Sequence, residues 1–188
     1  MTLGQKIREI RKRLGLSQEN LADILNVSRQ AITKWESDEG IPDISNLQEL
    51  SKLFNVTVDY LLDSSNNLPA VSMKKKLDKD KYKNKITSYK QILEEYYPSP
   101  WKVYILSYSN KLGKLEGLLN IFTGGDYDLI KGVSDLSPYY LVVKDNLKLL
   151  VNIKDWILEV IELPSDTNIK RFTYNKKVFI NCGNLKRI

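Results

Sequence analysis

Two serines, Ser17 and Ser28, constrain this chain more than any other feature. Each stands just ahead of an apolar pattern of helical period, where a side-chain oxygen can accept from backbone amides that a helix leaves unpaired. Only eleven positions separate them. Between them Leu21, Ala22, Ile24 and Leu25 supply the buried side of a short helix. Asn26, a residue that tolerates left-handed backbone, follows where the chain has to turn. A second short helix must then begin at once. Two such helices joined by a turn of three or four residues form a helix-turn-helix unit.

The flanking sequence encloses that unit in more helix. Leu3, Ile7, Ile10 and Leu14 recur at steps of four, three and four, giving a first helix one apolar face. Lys6, Arg8, Arg11, Lys12 and Arg13 fill its other faces, and Gly15 is placed to end it in the left-handed conformation. After Ser28 the pattern predicts a third helix from Arg29 to about Ser37, burying Ala31, Ile32 and Trp35. Gly40 to Pro42 interrupt it. Ser45 with Gln48 reads as a capping box for a fourth helix carrying Leu47, Leu50, Leu53 and Phe54. Asn55 ends that helix and Thr57 caps a fifth, in which Val58, Tyr60, Leu61 and Leu62 complete a core. The expectation is an all-α, five-helix domain over residues 1–63.

The run from Leu16 to Glu36, LSQENLADILNVSRQAITKWE, resembles the Cro/repressor-like family, also called xenobiotic-response-element type. The segment Ile41 to Leu62, with Pro42-Asp43 and the run Asn55 to Leu62, continues the likeness over about a third of the chain. Asn26 stands where many relatives have glycine, and asparagine can adopt the same backbone. The resemblance implies that the third helix lies in the major groove of DNA while the second crosses the phosphate backbone. Arg29, Gln30, Thr33 and Lys34 fall outside the inward set of the third helix, so they face outward together. Arginine bonds bidentately to guanine and glutamine to adenine, which makes Arg29 and Gln30 the expected base readers. Ser28 is expected to touch a base or phosphate while capping, Thr33 to make an apolar or hydroxyl contact, and Lys34 to bind phosphate. Gln18 matches a phosphate-binding position of the family, at a helix N-terminus that favours anions, and Ser45 and Asn46 are placed to act likewise. Arg11 and Glu36 match positions that pair in relatives. The bland alternative is that the outward residues form only a solvated helix face. A domain of this kind makes few contacts alone, so a homodimer reading two half-sites about 34 Å apart, or a multiple, is expected.

Charge does not make this argument. The chain is net +6, yet residues 1–64 carry eight Lys/Arg against ten Asp/Glu. The surplus is concentrated in residues 65–85, with seven lysines and two aspartates. Residues 64–97 read as a Lys-rich linker followed by an amphipathic helix. Lys74 to Lys85 is either a solvated segment or an auxiliary phosphate contact. Tyr82, Ile86, Tyr89, Leu93 and Tyr96 repeat at steps of four and three, which suits a dimerisation helix or one docked on its own C-terminal domain.

Residues 98–188 read as an α+β domain with a mostly antiparallel sheet. Trp101–Ser107, Tyr139–Val143, Leu147–Ile153, Trp156–Leu163, Lys170–Tyr174 and Lys177–Asn181 are the expected strands, with a helix over Leu112 to Phe122 ended by Gly124-Gly125. Trp101, Tyr104, Tyr108, Phe122, Tyr139, Tyr140 and Trp156 line a ligand pocket or simply fill a core. The chain has no histidine, which removes the commonest general base, and Cys182 is its only cysteine, expected as a buried structural thiol. No phosphate loop, dinucleotide fingerprint, metal cluster or self-cleaving Ser-Lys pattern stands out, so no catalytic residue, metal or cofactor is expected. The apolar runs are too short to span a membrane and no signal-peptide core opens the sequence, which suggests a cytoplasmic protein. The reading is a non-enzymatic, DNA-binding transcription regulator, in this family usually a repressor. Its C-terminal domain would dimerise or bind a small-molecule, peptide or protein effector. The alternative is an antitoxin whose C-terminal half captures a partner protein while the N-terminal half represses their shared promoter.

Overall fold

The computed structural model describes residues 1–64, 69–82, 85–109 and 139–185, with only the backbone of residues 85–87 and of Ser109. In chain order the elements are helices α1 (Leu3–Arg13), α2 (Gln18–Leu25), α3 (Arg29–Glu36), α4 (Ile44–Phe54) and α5 (Val58–Leu62), strand β1 (Ser72–Lys76), helix α6 (Lys85–Tyr96), and strands β2 (Lys102–Ser109), β3 (Tyr139–Lys144), β4 (Leu147–Lys154), β5 (Ile157–Leu163), β6 (Arg171–Tyr174) and β7 (Lys177–Asn184). They fall into two units, Met1–Ser99 with Ile153–Glu162 and Pro100–Asn152 with Leu163–Ile188.

In the first unit each N-terminal helix begins on a side-chain cap. Ser17 accepts from the Asn20 amide, and the Asn20 side chain returns the bond to Ser17, so the box closes with asparagine. Ser28 accepts from Ala31 and Thr57 from Tyr60. Gly15, Asn26 and Asn55 take positive φ of 71°, 54° and 51°, the left-handed exits expected of them. Ile7, Ile10, Leu14, Leu21, Ile32, Leu50, Phe54 and Leu61 are fully buried, each contributing about 1.5–3 kcal/mol of apolar transfer.

Four expectations change here. Helix α4 starts on Asp43, whose carboxylate accepts from Asn46 N at 2.7 Å, rather than on Ser45 with Gln48. Aspartate caps at least as well as serine, and Asp43 comes first after the buried Pro42. Leu62 is 57% exposed and leaves the core to Leu61, because α5 lasts barely more than a turn. Ala31 is only half-buried. Lys6 is not on a solvated face: it is fully buried, its stem inside and its Nζ donating to Tyr60 O at 2.5 Å and to Asp63 O. Carbonyls at a helix C-terminus lack intrahelical donors and attract a cation, so the end of α5 draws this ammonium inward.

The Lys-rich stretch is structured in part. Val71, Met73 and Leu77 are buried while Lys74 and Lys76 are exposed, the alternation of a strand with one face inward. Strand β1 pairs antiparallel with β5, with Met73 opposite Val160 and Lys75 opposite Leu158. Arg13 Nη2 and Nε reach Glu162 Oε2 at 2.6 and 2.8 Å, Lys75 Nζ donates to Ile24 O at 3.3 Å, and Asn55 Nδ2 donates to Ser72 Oγ at 3.1 Å. These bonds fasten the β1–β5 pair to α1, α2 and α4. Burial lowers the Lys75 pKa, opposed by the Asp23 carboxylate. In and just after α6, Ser88, Ile92, Leu93, Tyr96 and Tyr97 are buried and Tyr89 is half-buried.

The second unit is an antiparallel sheet in the order β4-β3-β2-β7-β6. Leu141 lies between Tyr104 and Leu150, and Phe179 between Tyr108 and Phe172. Asn175 and Lys176 turn β6 into β7 with φ of 46° and 62°, the doubly positive backbone of a type I′ hairpin. Trp101 and Tyr140 are core residues, whereas Tyr104, Tyr108 and Tyr139 are half-buried. Cys182 is half-buried rather than buried, and its burial raises the thiol pKa. The expected helix over Leu112 to Phe122, with Phe122 itself, lies outside the described residues. Among the described residues no helix is long and apolar enough to cross a membrane.

Candidate nucleic-acid interface

Helix α3 has two sides with opposite chemistry. Ile32, Trp35 and Glu36 are buried, while Ser28, Arg29, Gln30, Thr33 and Lys34 are exposed. At 3.6 residues per turn Gln30, Thr33, Lys34 and Ser37 sit opposite Ile32 and Trp35, with Arg29 at the margin of their face. The exposed face is therefore continuous and carries two cations, an amide and hydroxyls.

What holds that face still is a polar network beneath it. Glu36 is buried, and its carboxylate accepts from Arg11 Nε at 2.5 Å, from Arg11 Nη2 at 2.9 Å and from Gln18 Nε2 at 2.9 Å. Arg11 Nη1 donates to Leu16 O at 2.8 Å, so its guanidinium joins α1, the α1–α2 turn and α3. Arginine and carboxylate meet as planar forks, the arrangement that repays desolvation best. Thr33 Oγ1 donates to Arg29 O at 3.1 Å and approaches Gln18 Oε1 at 3.4 Å. The pairing expected of Arg11 and Glu36 is present, and Gln18 belongs to it.

A second contact seats α3 from its other end. Asp38 has φ 58° and turns its carboxylate back onto the start of α1, accepting from Gly4 N at 3.1 Å and from Thr2 Oγ1 at 2.7 Å. A Cβ built on Gly4 would lie 2.2 Å from Trp35 O, so only glycine allows the helices to come this close. The sequence reading missed Gly4 and Asp38. A glycine inside an otherwise helical apolar pattern was the available signal, since it costs about 1 kcal/mol and needs a packing reason.

The residues singled out from the sequence separate into two groups. Ser28, Arg29, Gln30, Thr33 and Lys34 share the α3 face, and Gln18 adjoins it through Thr33 and Glu36. Arg29 Nε stands 4.0 Å from Glu19 Oε2 with both side chains about two-thirds exposed, an interaction worth little and easily exchanged for another partner. Ser45 and Asn46 lie on α4, exposed and half-buried, in the first turn that Asp43 caps. The Asp43 carboxylate thus already holds the anion position at that helix end.

Comparison with known proteins agrees with this architecture. The helix-turn-helix family matches residues 7–61. The chain is 47% identical over 62 residues to the HTH-type transcriptional activator BcrR of Enterococcus faecalis, covering 33% of this chain and 30% of that one. It is 39% identical over 62 residues to the HTH-type transcriptional regulator ImmR of Bacillus subtilis, covering 33% and 49%, and 42% identical over 60 residues to repressor protein C2 of Salmonella phage P22, covering 32% and 28%. The chain thus spans less than half the length of these relatives. A crystal structure of the P22 c2 repressor with a synthetic operator is 38% identical, covers 35% of this chain and 98% of that one, and has a TM-score of 0.34. Residues 7–61 thus match the helix-turn-helix family and are similar to the corresponding segments of these transcriptional regulators and repressors.

Proposed function

We propose that the protein is a sequence-specific, DNA-binding transcription regulator that acts as a homodimer, with α3 in the major groove. The observation that carries this is the α3 face itself: Arg29, Gln30, Thr33 and Lys34 stand outward on a helix whose inner side is locked by Arg11, Gln18 and Glu36. Arg29 and Gln30 read base edges; Lys34 and Ser28 hold phosphates; Thr33 packs against a base or hydrogen-bonds it. The Gln18 side chain is engaged by Glu36, so its contribution to a phosphate is the backbone amide at the start of α2. Ser45 and Asn46 contribute less, because the Asp43 charge repels a phosphate at the same helix end.

Named relatives of the domain include both an activator and a repressor. We take repression as the expected sign, tested by a reporter placed behind the recovered operator. The antiparallel sheet would supply the dimer contact or receive the small-molecule, peptide or protein effector. Recovery of duplexes bound by the full chain from a randomised library tests the reading. A preferred sequence with two-fold symmetry and half-sites about one helical turn apart, or a multiple, is the expected result. Recovery of no preferred sequence overturns it.

A further inference from the structure

We infer that Arg8 and Lys12, on the outer side of α1, form an additional phosphate-binding site that takes a phosphodiester of the DNA backbone beside the bases read by α3. The inference rests on the DNA-binding reading and adds to it residues that neither the motif nor the relatives' names single out.

Arg8 and Lys12 are four residues apart, hence one above the other on the same helical face. Both are exposed. With Arg11 they form the α1 wall of a cleft of about 450 Å³, whose other walls are Gln18 from α2 and Thr33, Glu36 and Ser37 at the end of α3. Gln18 and Thr33 adjoin the reading face as well, so the cleft opens onto the surface across which a duplex seated on α3 would run.

The charge in the cleft is unbalanced. Among the described residues Glu36 is its only carboxylate, and Arg11 neutralises it at 2.5 Å with both side chains nearly enclosed. Arg8 and Lys12 then remain, and among the described residues neither side chain makes a hydrogen bond or an ion pair. Some other cations are matched, among them Arg13 with Glu162, Lys52 with Glu49, Lys74 with Glu159 and Lys81 with Glu95. Residues 1–64 hold more acidic than basic side chains, so the cationic wall is a local arrangement rather than a general excess. Like charges at this spacing work against a helix, and an anion bound between them relieves the cost. The spread of the two long side chains suits a phosphodiester, which takes point charges without demanding a fixed fork.

The test is a salt titration of DNA affinity with the full chain, on a mixed-sequence duplex and on the preferred duplex recovered from the library. Each phosphate contact contributes about 0.9 to the slope of log affinity against log salt. Arg8→Gln and Lys12→Gln are each expected to lower the slope by about that amount, and the double variant by about twice as much. The ratio of affinities for preferred and mixed duplex is expected to stay the same. Arg8→Lys and Lys12→Arg, which keep the charge, are expected to keep the slope and so exclude misfolding as the cause. A double variant with the unaltered slope overturns the proposal while leaving the α3 reading intact. An unaltered chain that binds neither duplex overturns both.

Discussion

The helical body and the antiparallel sheet solve the same problem, placing polar groups beside an apolar core, in opposite ways. In the helical body the polar network lies below the surface and points its consequences outward: Arg11, Gln18 and Glu36 fix α3 so that its far side can present Arg29 and Gln30. In the sheet the aromatic groups engage one another. Tyr108 and Tyr139 meet edge to face at 5.1 Å, Tyr139 meets Phe179 at the same distance, and Phe172 stacks on Phe179. Lys177 Nζ sits 4.7 and 4.9 Å from the Tyr108 and Tyr139 rings and donates to the Tyr139 hydroxyl at 2.9 Å, which raises its pKa. The first arrangement leaves the exposed polar face of α3 unengaged by the buried network; in the second the described aromatic rings and Lys177 engage one another.

The largest effect is expected from removing the carboxylate at the centre of the polar network. Glu36→Ala strands the Arg11 guanidinium in a buried site, and breaking a pair of this kind costs about 3–5 kcal/mol. Amide exchange in α1, α2 and α3 is expected to accelerate strongly while exchange in β2, β3 and β7 is retained. Equal acceleration in both would show that the polar network is not a separate support. Gly4→Ala comes next. Its methyl group meets the Trp35 carbonyl, and overpacking of this type costs about 1–3 kcal/mol, so a lower thermal midpoint is expected together with weaker DNA binding as α3 shifts. A midpoint unchanged by Gly4→Ala would mean the α1–α3 approach is not needed. The smallest effect belongs to Glu162→Gln, which removes a partly exposed ion pair with Arg13 and is expected to cost about 1 kcal/mol in denaturant unfolding. A loss several times larger would show that β5 contributes more to the helical body than this single tie implies.

How far the sequence reveals these features depends on how local their causes are. Ser17, Ser28, Thr57, Asn26 and Asn55 were legible because a cap or a left-handed exit is decided within four residues. Asp43 was misjudged in favour of Ser45 because two adequate caps lay two residues apart and only the path after Pro42 chooses between them. The outward set of α3 followed from helical period alone, whereas the Arg11–Glu36 pair needed the family resemblance. Gln18 in that network, the Asp38 contact to α1 and the burial of Lys6 depend on where distant helices meet, and no local pattern contains that. Strand β1 was hidden by composition: lysine at three successive positions reads as solvated chain, although Val71, Met73 and Leu77 alternate beneath it. The strands on either side of Asn175 were legible as Lys170–Tyr174 and Lys177–Asn181, while the order β4-β3-β2-β7-β6 was not, since it pairs segments far apart in the chain.

The central claim is that Arg29 and Gln30 read bases from a helix held in the major groove. The direct measurement is the affinity of the Arg29→Ala, Gln30→Ala and double variants for a panel of duplexes in which each position of the recovered operator is changed in turn. Each single variant is predicted to lose discrimination at one base pair per half-site, a loss of about 1–3 kcal/mol, with the other positions read as before. A double variant that discriminates among the panel as the unaltered chain does would contradict the account.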